Sequence, residues 1–313
     1  MMIAKPRAVS AQRLSRREAK PRALSAQPDV VAEAEAVLSA AAVERPRWAA
    51  EQITASVVGG DPTAWVMEPP TVEAATHQEI LRRAARRAAG VPLQYVTGIA
   101  GFFGRDFSVA PGVLIPRPET EGLVEVALEE LVRRQVPRPV VWDVGTGSGV
   151  IALSLTLEAP ASILVGFDTS PRALAVAREN ARRLGVASGV RWVRADLLAA
   201  CSELCADLIV ANLPYIPTGE LSALPREVQQ EPREALDGGP EGLTLIRRLL
   251  AQAATRLRPG GTIILEVGDG QARRVQAEWA SQWAEVKIRP DAAGRERIVI
   301  CRRAVGIRGK TAH

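Results

Sequence analysis

The chain has 313 residues, of which 47% are apolar and 24% charged, a length that corresponds to about two domains. It contains no run of 18 apolar residues, which excludes a membrane-spanning helix. Three cysteines are too few for a disulfide framework and indicate a reducing compartment, so we predict a cytoplasmic protein. Two histidines leave little from which to build a histidine-rich metal site or a serine-protease-like triad, and we predict no metal site.

The positive charge of the chain is concentrated at its two ends. Residues 1–28 contain seven Lys or Arg and one Glu, and residues 302–313 contain four Arg or Lys and no acidic residue, whereas residues 29–301 have a net charge of −5. We therefore predict a basic disordered arm over 1–28 and a basic tail over 304–313. The Arg- and Ser-rich start also resembles a mitochondrial transit peptide, which makes a mitochondrial location the alternative. The acidic body argues against a nucleic-acid duplex as the partner of the whole domain.

The first structured part of the chain has apolar residues at helical spacing. This pattern predicts a small helical domain over 29–90, with a break at Gly59-Gly60 and a last helix at about 71–89. Glycines then separate short aromatic and β-branched runs, which predicts a β-hairpin linker over 91–115.

Residues 116–303 alternate between strand and helix patterns. The predicted strands lie at 140–144, 163–167, 190–193, 208–211, 262–267, 285–288 and 297–301. The predicted helices lie at about 150–157, 171–184 and 242–257. Such alternation with short loops predicts an α/β fold with a doubly wound, mainly parallel sheet that has helices on both faces.

A glycine-rich turn, Asp143-Val144-Gly145-Thr146-Gly147-Ser148-Gly149, ends the first of these strands. Its glycines let a ligand approach the backbone and leave the amides at the start of the next helix free to face it. Nicotinamide, flavin and methyl-donor enzymes all use such turns, but the G-x-G-x-G spacing differs from the G-x-G-x-x-G that seats a pyrophosphate. Asp168 ends the second strand, where its carboxylate can accept both hydroxyls of a ribose, while Ser170 caps the following helix.

Two more motifs end the third and fourth strands of this region. Asp196, in Arg194-Ala195-Asp196-Leu197, is placed to reach an adenine amino group. Asn212-Leu213-Pro214-Tyr215 follows the fourth strand, at the sheet edge where open α/β sheets bind ligands. The side-chain oxygen of Asn212 and a backbone carbonyl can accept both protons of a planar NH₂ group, while Tyr215 packs on its face.

In this order, the motifs resemble those of class I S-adenosylmethionine-dependent methyltransferases that methylate planar nitrogens. The flanking segments narrow the resemblance to the bacterial peptide-chain release factor N5-glutamine methyltransferases. These segments are Pro92-Leu93-Gln94-Tyr95-Val96-Thr97-Gly98, Phe102-Phe103-Gly104, Leu114-Ile115-Pro116-Arg117-Pro118-Glu119-Thr120-Glu121, Glu231-Pro232-Arg233-Glu234-Ala235-Leu236 and Gly238-Gly239-Pro240-Glu241-Gly242-Leu243. The resemblance covers about residues 30–302 and leaves out the arm.

The resemblance implies a seven-stranded class I methyltransferase sheet and methylation of the glutamine amide in the Gly-Gly-Gln loop of release factors. It implies that S-adenosylmethionine, which becomes S-adenosylhomocysteine, is held by Gly145, Thr146, Gly147, Ser148, Gly149, Asp168, Asp196, Leu197 and Asn212. The glutamine amide would be bound by Asn212, Leu213, Pro214 and Tyr215, with Asn212, Pro214 and Tyr215 as the catalytic residues. The helical domain would help dock the release factor, the segment 117–121 would border the cleft, and we expect a monomer.

One residue departs from the pattern of this family. The family usually has Asn-Pro-Pro-Tyr, whereas this chain has Leu213 at the first proline. Leucine can supply the same backbone carbonyl, so the expected loss is stiffness of the turn. Asn-Leu-Pro-Tyr also resembles the ribosomal RNA adenine N6-dimethyltransferases, which makes methylation of adenine in ribosomal RNA or DNA the alternative function.

Overall fold

A computed structural model of the protein describes residues 29–66, 70–201 and 206–305. The predicted basic arm and most of the predicted basic tail lie outside the described residues. Within the described part of the chain, no helix is both long enough and apolar enough to cross a membrane.

The N-terminal part is a group of four helices: α1 (Val30–Ala40), α2 (Pro46–Val58), α3 (Ala74–Ala88) and α4 (Leu93–Thr97). The Asp29 side chain caps α1 by accepting hydrogen bonds from the backbone N–H groups of Val31 and Ala32. The apolar faces of the helices form one buried cluster that includes Leu38, Ile53 and Ile80. This cluster confirms the small helical domain, and its last predicted helix begins at Ala74 rather than at 71.

A β-hairpin connects the helical domain to the sheet. Its strands, β1 (Ile99–Phe102) and β2 (Arg105–Ser108), are antiparallel and are joined by two residues. Both residues of the turn, Phe103 and Gly104, have positive φ angles of 49° and 71°, as the tightest hairpin turns require. The rings of Phe102 and Phe107 pack edge to face, 6.1 Å apart, in the core beneath the sheet. The predicted hairpin is therefore present, but it spans 99–108 only, and the beginning of the predicted linker over 91–115 instead forms α4, which packs with the helical domain.

Seven strands form the main sheet: β3 (Val140–Val144), β4 (Ile163–Asp168), β5 (Val190–Arg194), β6 (Ala206–Asn212), β7 (Leu257–Glu266), β8 (Glu285–Pro290) and β9 (Glu296–Arg302). Their order is β5-β4-β3-β6-β7-β9-β8. The first five are parallel, whereas β9 is antiparallel to both of its neighbours. All seven predicted strands are present, and β7 begins five residues before its predicted start.

The helices that cover the sheet are α5 (Glu121–Arg134), α6 (Val150–Glu158), α7 (Pro171–Arg183), α8 (Thr244–Arg256) and α9 (Gln271–Trp279). One face of the sheet packs against α8 and α9, and the other face packs mainly against α5 and α6. Burial on both faces explains why the central strands are nearly continuous apolar runs in the sequence. The sequence patterns predicted α6, α7 and α8, but not α5 or α9.

The strand order reverses beside β3, and this reversal places the site. The chain runs from β3 outward through β4 to β5, and then returns to β6 on the other side of β3. Loops that leave neighbouring strands in opposite directions open a crevice at the carboxyl ends of those strands. The glycine turn and Asn212 both follow these strand ends, so the fold brings the predicted motifs to one edge.

Candidate active site

The turn after β3 packs against the loop after β6. Gly145 has a φ angle of +77°, and a Cβ atom at this position would lie 2.9 Å from Cδ2 of Leu213. Glycine satisfies both constraints because it has no side chain and tolerates positive φ. The N–H groups of Gly145 and Thr146 donate to the Phe167 carbonyl at 2.8 and 2.9 Å. These bonds fix the turn against β4, while Gly147 lines the crevice.

Asp168 is the last residue of β4, and its carboxylate forms a hydrogen bond with the glycine turn. Its Oδ2 accepts a hydrogen bond from the Gly147 N–H at 2.9 Å, and its Oδ1 accepts one from the Ser170 N–H at 2.8 Å. Burial raises the pKa of this carboxyl. The cap of α7 is the Ser170 hydroxyl, which accepts from the Ala173 N–H at 3.2 Å, as predicted. Because a carboxylate can accept about four hydrogen bonds, Asp168 keeps capacity for a ligand.

Asp143 lies fully buried beneath the glycine turn. Its Oδ2 accepts hydrogen bonds from the Thr146 hydroxyl at 2.5 Å and from the Ala152 N–H at 3.1 Å. Its Oδ1 is buried and has no hydrogen-bond partner within the described chain. Burial is the main reason that the pKa of this carboxyl is raised to about 7.

Replacing Asp143 by asparagine should stabilise the protein more at pH 8 than at pH 5. The buried carboxyl keeps its proton up to about pH 7, whereas the carboxyl of the unfolded chain loses it near pH 4. The native state therefore loses stability as the pH rises from about 4 to about 7. An asparagine has no charge to bury and still offers an oxygen to Thr146 and Ala152. Thermal unfolding of both proteins at the two pH values measures the effect, and a Tm difference independent of pH would contradict it.

Asn212 is the last residue of β6, and a hydrogen bond holds its side-chain amide in place. Its Nδ2 donates a hydrogen bond to the Thr120 hydroxyl at 2.9 Å, which leaves Oδ1 to accept from another group. Leu213 is buried in the core, with its side chain against Gly145. Asn212, Leu213 and Pro214 all line the cavity described next.

A cavity of about 320 Å³ lies at this edge of the sheet. The predicted residues that line it are Gly145, Thr146, Gly147, Ser148, Asp168, Asp196, Leu197, Asn212, Leu213 and Pro214. Arg117 and Thr120 also line it, in agreement with the expectation that the segment 117–121 borders the cleft. Thr120 and Leu245, which are 125 positions apart in the sequence, both line it.

Two predicted residues lie outside the cavity wall, Gly149 and Tyr215. Gly149 is covered by Trp192, since a Cβ atom there would lie 3.0 Å from the indole ring. The Tyr215 hydroxyl is 3.4 Å from Oε1 of Glu266, and its backbone carbonyl accepts a hydrogen bond from Gln271 at 2.8 Å. These contacts fix the hydroxyl and the backbone of Tyr215, and the position of its ring beside a bound amide stays a prediction.

The Asp196 carboxylate is turned toward a neighbour that the sequence did not predict. Its Oδ2 lies 2.6 Å from the Arg248 guanidinium on α8, and its side chain is 54% exposed. Asp196 therefore stands at the rim of the cavity. Leu197 is buried and has a positive φ of 50°, a backbone conformation that costs a leucine about 1–2 kcal/mol.

Sequence reasoning assigned no role to Glu266 or Glu231, although both are buried carboxylates beside the site. Glu231 forms an ion pair with Arg117 and accepts a hydrogen bond from the Ile115 N–H at 2.9 Å. Glu266 accepts a hydrogen bond from the Thr120 hydroxyl at 2.7 Å. The one signal for Glu266 in the sequence is its position at the end of a predicted strand, because polar residues there face the edge of the sheet at which ligands bind.

The assembled cavity has acceptors at two places. Asp168 offers carboxylate oxygens suited to vicinal hydroxyls, and Asn212 offers an amide oxygen suited to an NH₂ group. Across residues 29–66, 70–201 and 206–305, no group of three or more His, Cys, Asp or Glu side chains could hold a metal ion. The arrangement can therefore position two organic groups relative to each other.

Comparison with known protein families gives two matches that follow the observed domains. Residues 29–98 match the model of the PrmC N-terminal domain. Residues 124–239 match the model of the methyltransferase small domain. The first match covers the helical domain, and the second contains the glycine turn, Asp168, Asp196 and Asn212.

Similar proteins agree with these matches. The chain is 44% identical over 276 residues to a release factor glutamine methyltransferase of Moorella thermoacetica, covering 85% of this chain and 94% of that protein. It is 40% identical over 283 residues to one of Deinococcus radiodurans, covering 89% and 99%. Among solved structures, the fold is shared by the hMettl16 catalytic domain in complex with MAT2A 3'UTR hairpin 1. The two structures have a TM-score of 0.54 and 15% sequence identity, and the match covers 72% of this chain and 82% of that one. The chain belongs to the family of release factor glutamine methyltransferases.

Proposed function

We propose that this enzyme transfers a methyl group from S-adenosylmethionine to the side-chain amide nitrogen of the glutamine in the Gly-Gly-Gln loop of peptide-chain release factors. The observation that carries the proposal is the identity of 44% with a release factor glutamine methyltransferase along 94% of its length. The match extends through the helical domain, which has its own family model and which we assign to docking of the release factor.

The cofactor occupies the side of the cavity formed by the glycine turn and the end of β4. Asp168 accepts the ribose hydroxyls, and the backbone of residues 145–148 borders the methionine part. Leu197 packs beside the adenine, and Asp196 stands at the rim near its amino group. Gly149 contributes by allowing Trp192 to pack closely behind the turn.

The glutamine amide occupies the side formed by Asn212 and Leu213. An amide nitrogen is a poor nucleophile because its lone pair is delocalised into the carbonyl. Asn212 Oδ1 and the Leu213 carbonyl accept its two N–H protons, which aims the nitrogen at the methyl group and stabilises the positive charge that develops on it. The N–C bond forms as the S–C bond breaks, and the nitrogen then releases one proton to water.

Pro214 and Tyr215 support this arrangement from the chain that follows. Proline fixes φ and so stiffens the turn that presents the Leu213 carbonyl. The ring of Tyr215 packs on the face of the bound amide, and its hydroxyl lies 3.4 Å from Oε1 of Glu266. Leu213 contributes its carbonyl to the substrate and its side chain to the core, so the family's usual proline is not required at this position.

A methyl-transfer assay with labelled S-adenosylmethionine tests the proposal. The acceptors are a release factor, the same factor with its loop glutamine changed to alanine, and bare ribosomal RNA. We expect label on the intact factor alone. Label on the RNA instead would overturn the proposal in favour of adenine methylation, and label on both forms of the factor would mean that another residue is modified.

Three further properties belong to the proposal as expectations. The alternative function, methylation of adenine in nucleic acid, is tested by the ribosomal RNA acceptor in this assay. A cytoplasmic location, with its mitochondrial alternative, stays a prediction from the sequence. The monomeric state also stays a prediction, which sedimentation of the purified enzyme would measure.

A further inference from the structure

We propose that Thr120 and Glu266 form a relay that fixes which end of the Asn212 amide faces the cavity. The inference rests on the proposed function, because it concerns the group that binds the glutamine amide. It assigns a positioning role to two side chains that act on the substrate through Asn212.

The relay is a short chain of hydrogen bonds in the interior. Asn212 Nδ2 donates to Thr120 Oγ1 at 2.9 Å, and Thr120 Oγ1 donates to Glu266 Oε2 at 2.7 Å. Thr120 is 3% exposed and Glu266 is 1% exposed. Burial matters because water cannot replace a lost partner, so each group depends on its neighbour in the chain.

The count of protons gives the relay its direction. A threonine hydroxyl has one proton to donate, whereas an ionised carboxylate can only accept. When the Thr120 hydroxyl donates its one proton in the hydrogen bond to Glu266, it can only accept a hydrogen bond from Asn212. Asn212 must then turn its NH₂ group toward Thr120 and its oxygen toward the cavity. A substrate NH₂ group needs that oxygen as its acceptor. If the Asn212 amide were flipped, its NH₂ group would face the NH₂ group of the substrate, and neither could accept a hydrogen bond.

The fold places the three residues next to each other from distant parts of the chain. Asn212 and Glu266 are register partners at the ends of the neighbouring parallel strands β6 and β7. Thr120 lies in the short 3₁₀ turn before α5. This turn is held by its neighbours, since the Glu121 carboxylate accepts a hydrogen bond from the Phe103 N–H at 2.8 Å. The hydroxyl therefore reaches the pair from a fixed backbone.

The relay also predicts a dependence of kcat on pH. A protonated Glu266 could donate to Thr120, which would free the threonine proton for Asn212 and remove the bias. The groups that act on Glu266 are the Thr120 and Tyr215 hydroxyls and the Arg297 guanidinium, which favour its ionised form, and Glu119, which opposes it. Burial dominates and raises the pKa of Glu266. We expect kcat to fall with decreasing pH in a Thr120→Ser variant as in the wild type, but not in Thr120→Val.

The decisive experiment compares four single variants and one double variant by kcat on the release factor, by Kd for S-adenosylmethionine and by Tm. Thr120→Val and Glu266→Met should each lower kcat about 10- to 100-fold, since misplaced reacting groups cost about this much in rate. The double variant should have a kcat no lower than that of either single variant, because both changes break the same chain of hydrogen bonds. Thr120→Ser keeps the hydroxyl and should retain the wild-type kcat. Thr262→Val is the matched control, because Thr262 lies in the same strand, β7, and makes a buried hydrogen bond to Glu130 outside the relay. It should also retain the wild-type kcat.

A second measurement does not depend on turnover. In spectra of the ¹⁵N-labelled enzyme, the side-chain NH₂ signal that disappears in Asn212→Ala should be protected from solvent exchange in the wild type and Thr120→Ser, and unprotected in Thr120→Val. Unchanged protection and unchanged kcat in Thr120→Val would overturn the relay. A loss of kcat in Thr120→Ser equal to that in Thr120→Val would also overturn it. A wild-type enzyme inactive on the release factor would instead overturn the proposed function, and the exchange measurement would still decide the relay.

Discussion

Replacing Asn212 by alanine should lower kcat about 10²- to 10³-fold, the usual cost of losing one preorganised group that stabilises charge in the transition state. In the proposed function, the side-chain oxygen of Asn212 accepts a hydrogen bond from the substrate amide and opposes the positive charge that develops on its nitrogen. Affinity for S-adenosylmethionine should change little, because the proposed function assigns the ribose to Asp168 on the other side of the cavity. Single-turnover kinetics with a release factor, together with titration of the cofactor, measure the two effects separately.

The same variant must be shown to be folded before its rate is interpreted. Asn212 gives one hydrogen bond to Thr120, and its loss leaves that hydroxyl with Glu266 as a partner. We therefore expect a Tm close to that of the wild type. An unchanged kcat in the folded variant would mean that the amide is bound elsewhere, and the assignment of the substrate side of the cavity would be wrong.

The sheet could be predicted from the sequence because its central strands are buried on both faces. Apolar runs of strand length, separated by helices that begin after glycine or proline, located all seven strands to within a few residues. Of the two helices that were missed, α9 has the weaker signal, because it buries only Ala272 and Val275 and so leaves little apolar periodicity in the sequence.

The residues that face the cavity were predicted better than the residues that hold them. Strand ends can be located in the sequence, and strand ends are where parallel sheets bind ligands. The partners of these residues lie far away in the chain: Thr120 and Glu266 are 146 positions apart, and Arg248 is 52 positions from Asp196. No local pattern encodes such pairs, so the ion pair of Asp196 with Arg248 and the contact of the Tyr215 hydroxyl with Glu266 became clear only in the folded chain.

Replacing Asp168 by alanine should raise the Kd for S-adenosylmethionine about 10²-fold or more. Two hydrogen bonds from ribose hydroxyls to a carboxylate contribute about 1.5–3 kcal/mol each, and each 1.4 kcal/mol is about a tenfold change in Kd. The variant also frees the N–H groups of Gly147 and Ser170, which Asp168 now binds, so the glycine turn loses one of its supports. Isothermal titration of the cofactor into both proteins measures the change.

The kinetic pattern of Asp168→Ala should be the reverse of that of Asn212→Ala. At saturating S-adenosylmethionine its kcat should approach the wild-type value, because the proposed role of Asp168 is to bind the ribose, whereas the reaction takes place at the methyl group. If both variants instead lost kcat and cofactor affinity together, the two sides of the cavity would not act separately. If Asp168→Ala bound the cofactor as well as the wild type, the ribose would have to lie elsewhere, and the placement of the whole cofactor along the end of β4 would be wrong.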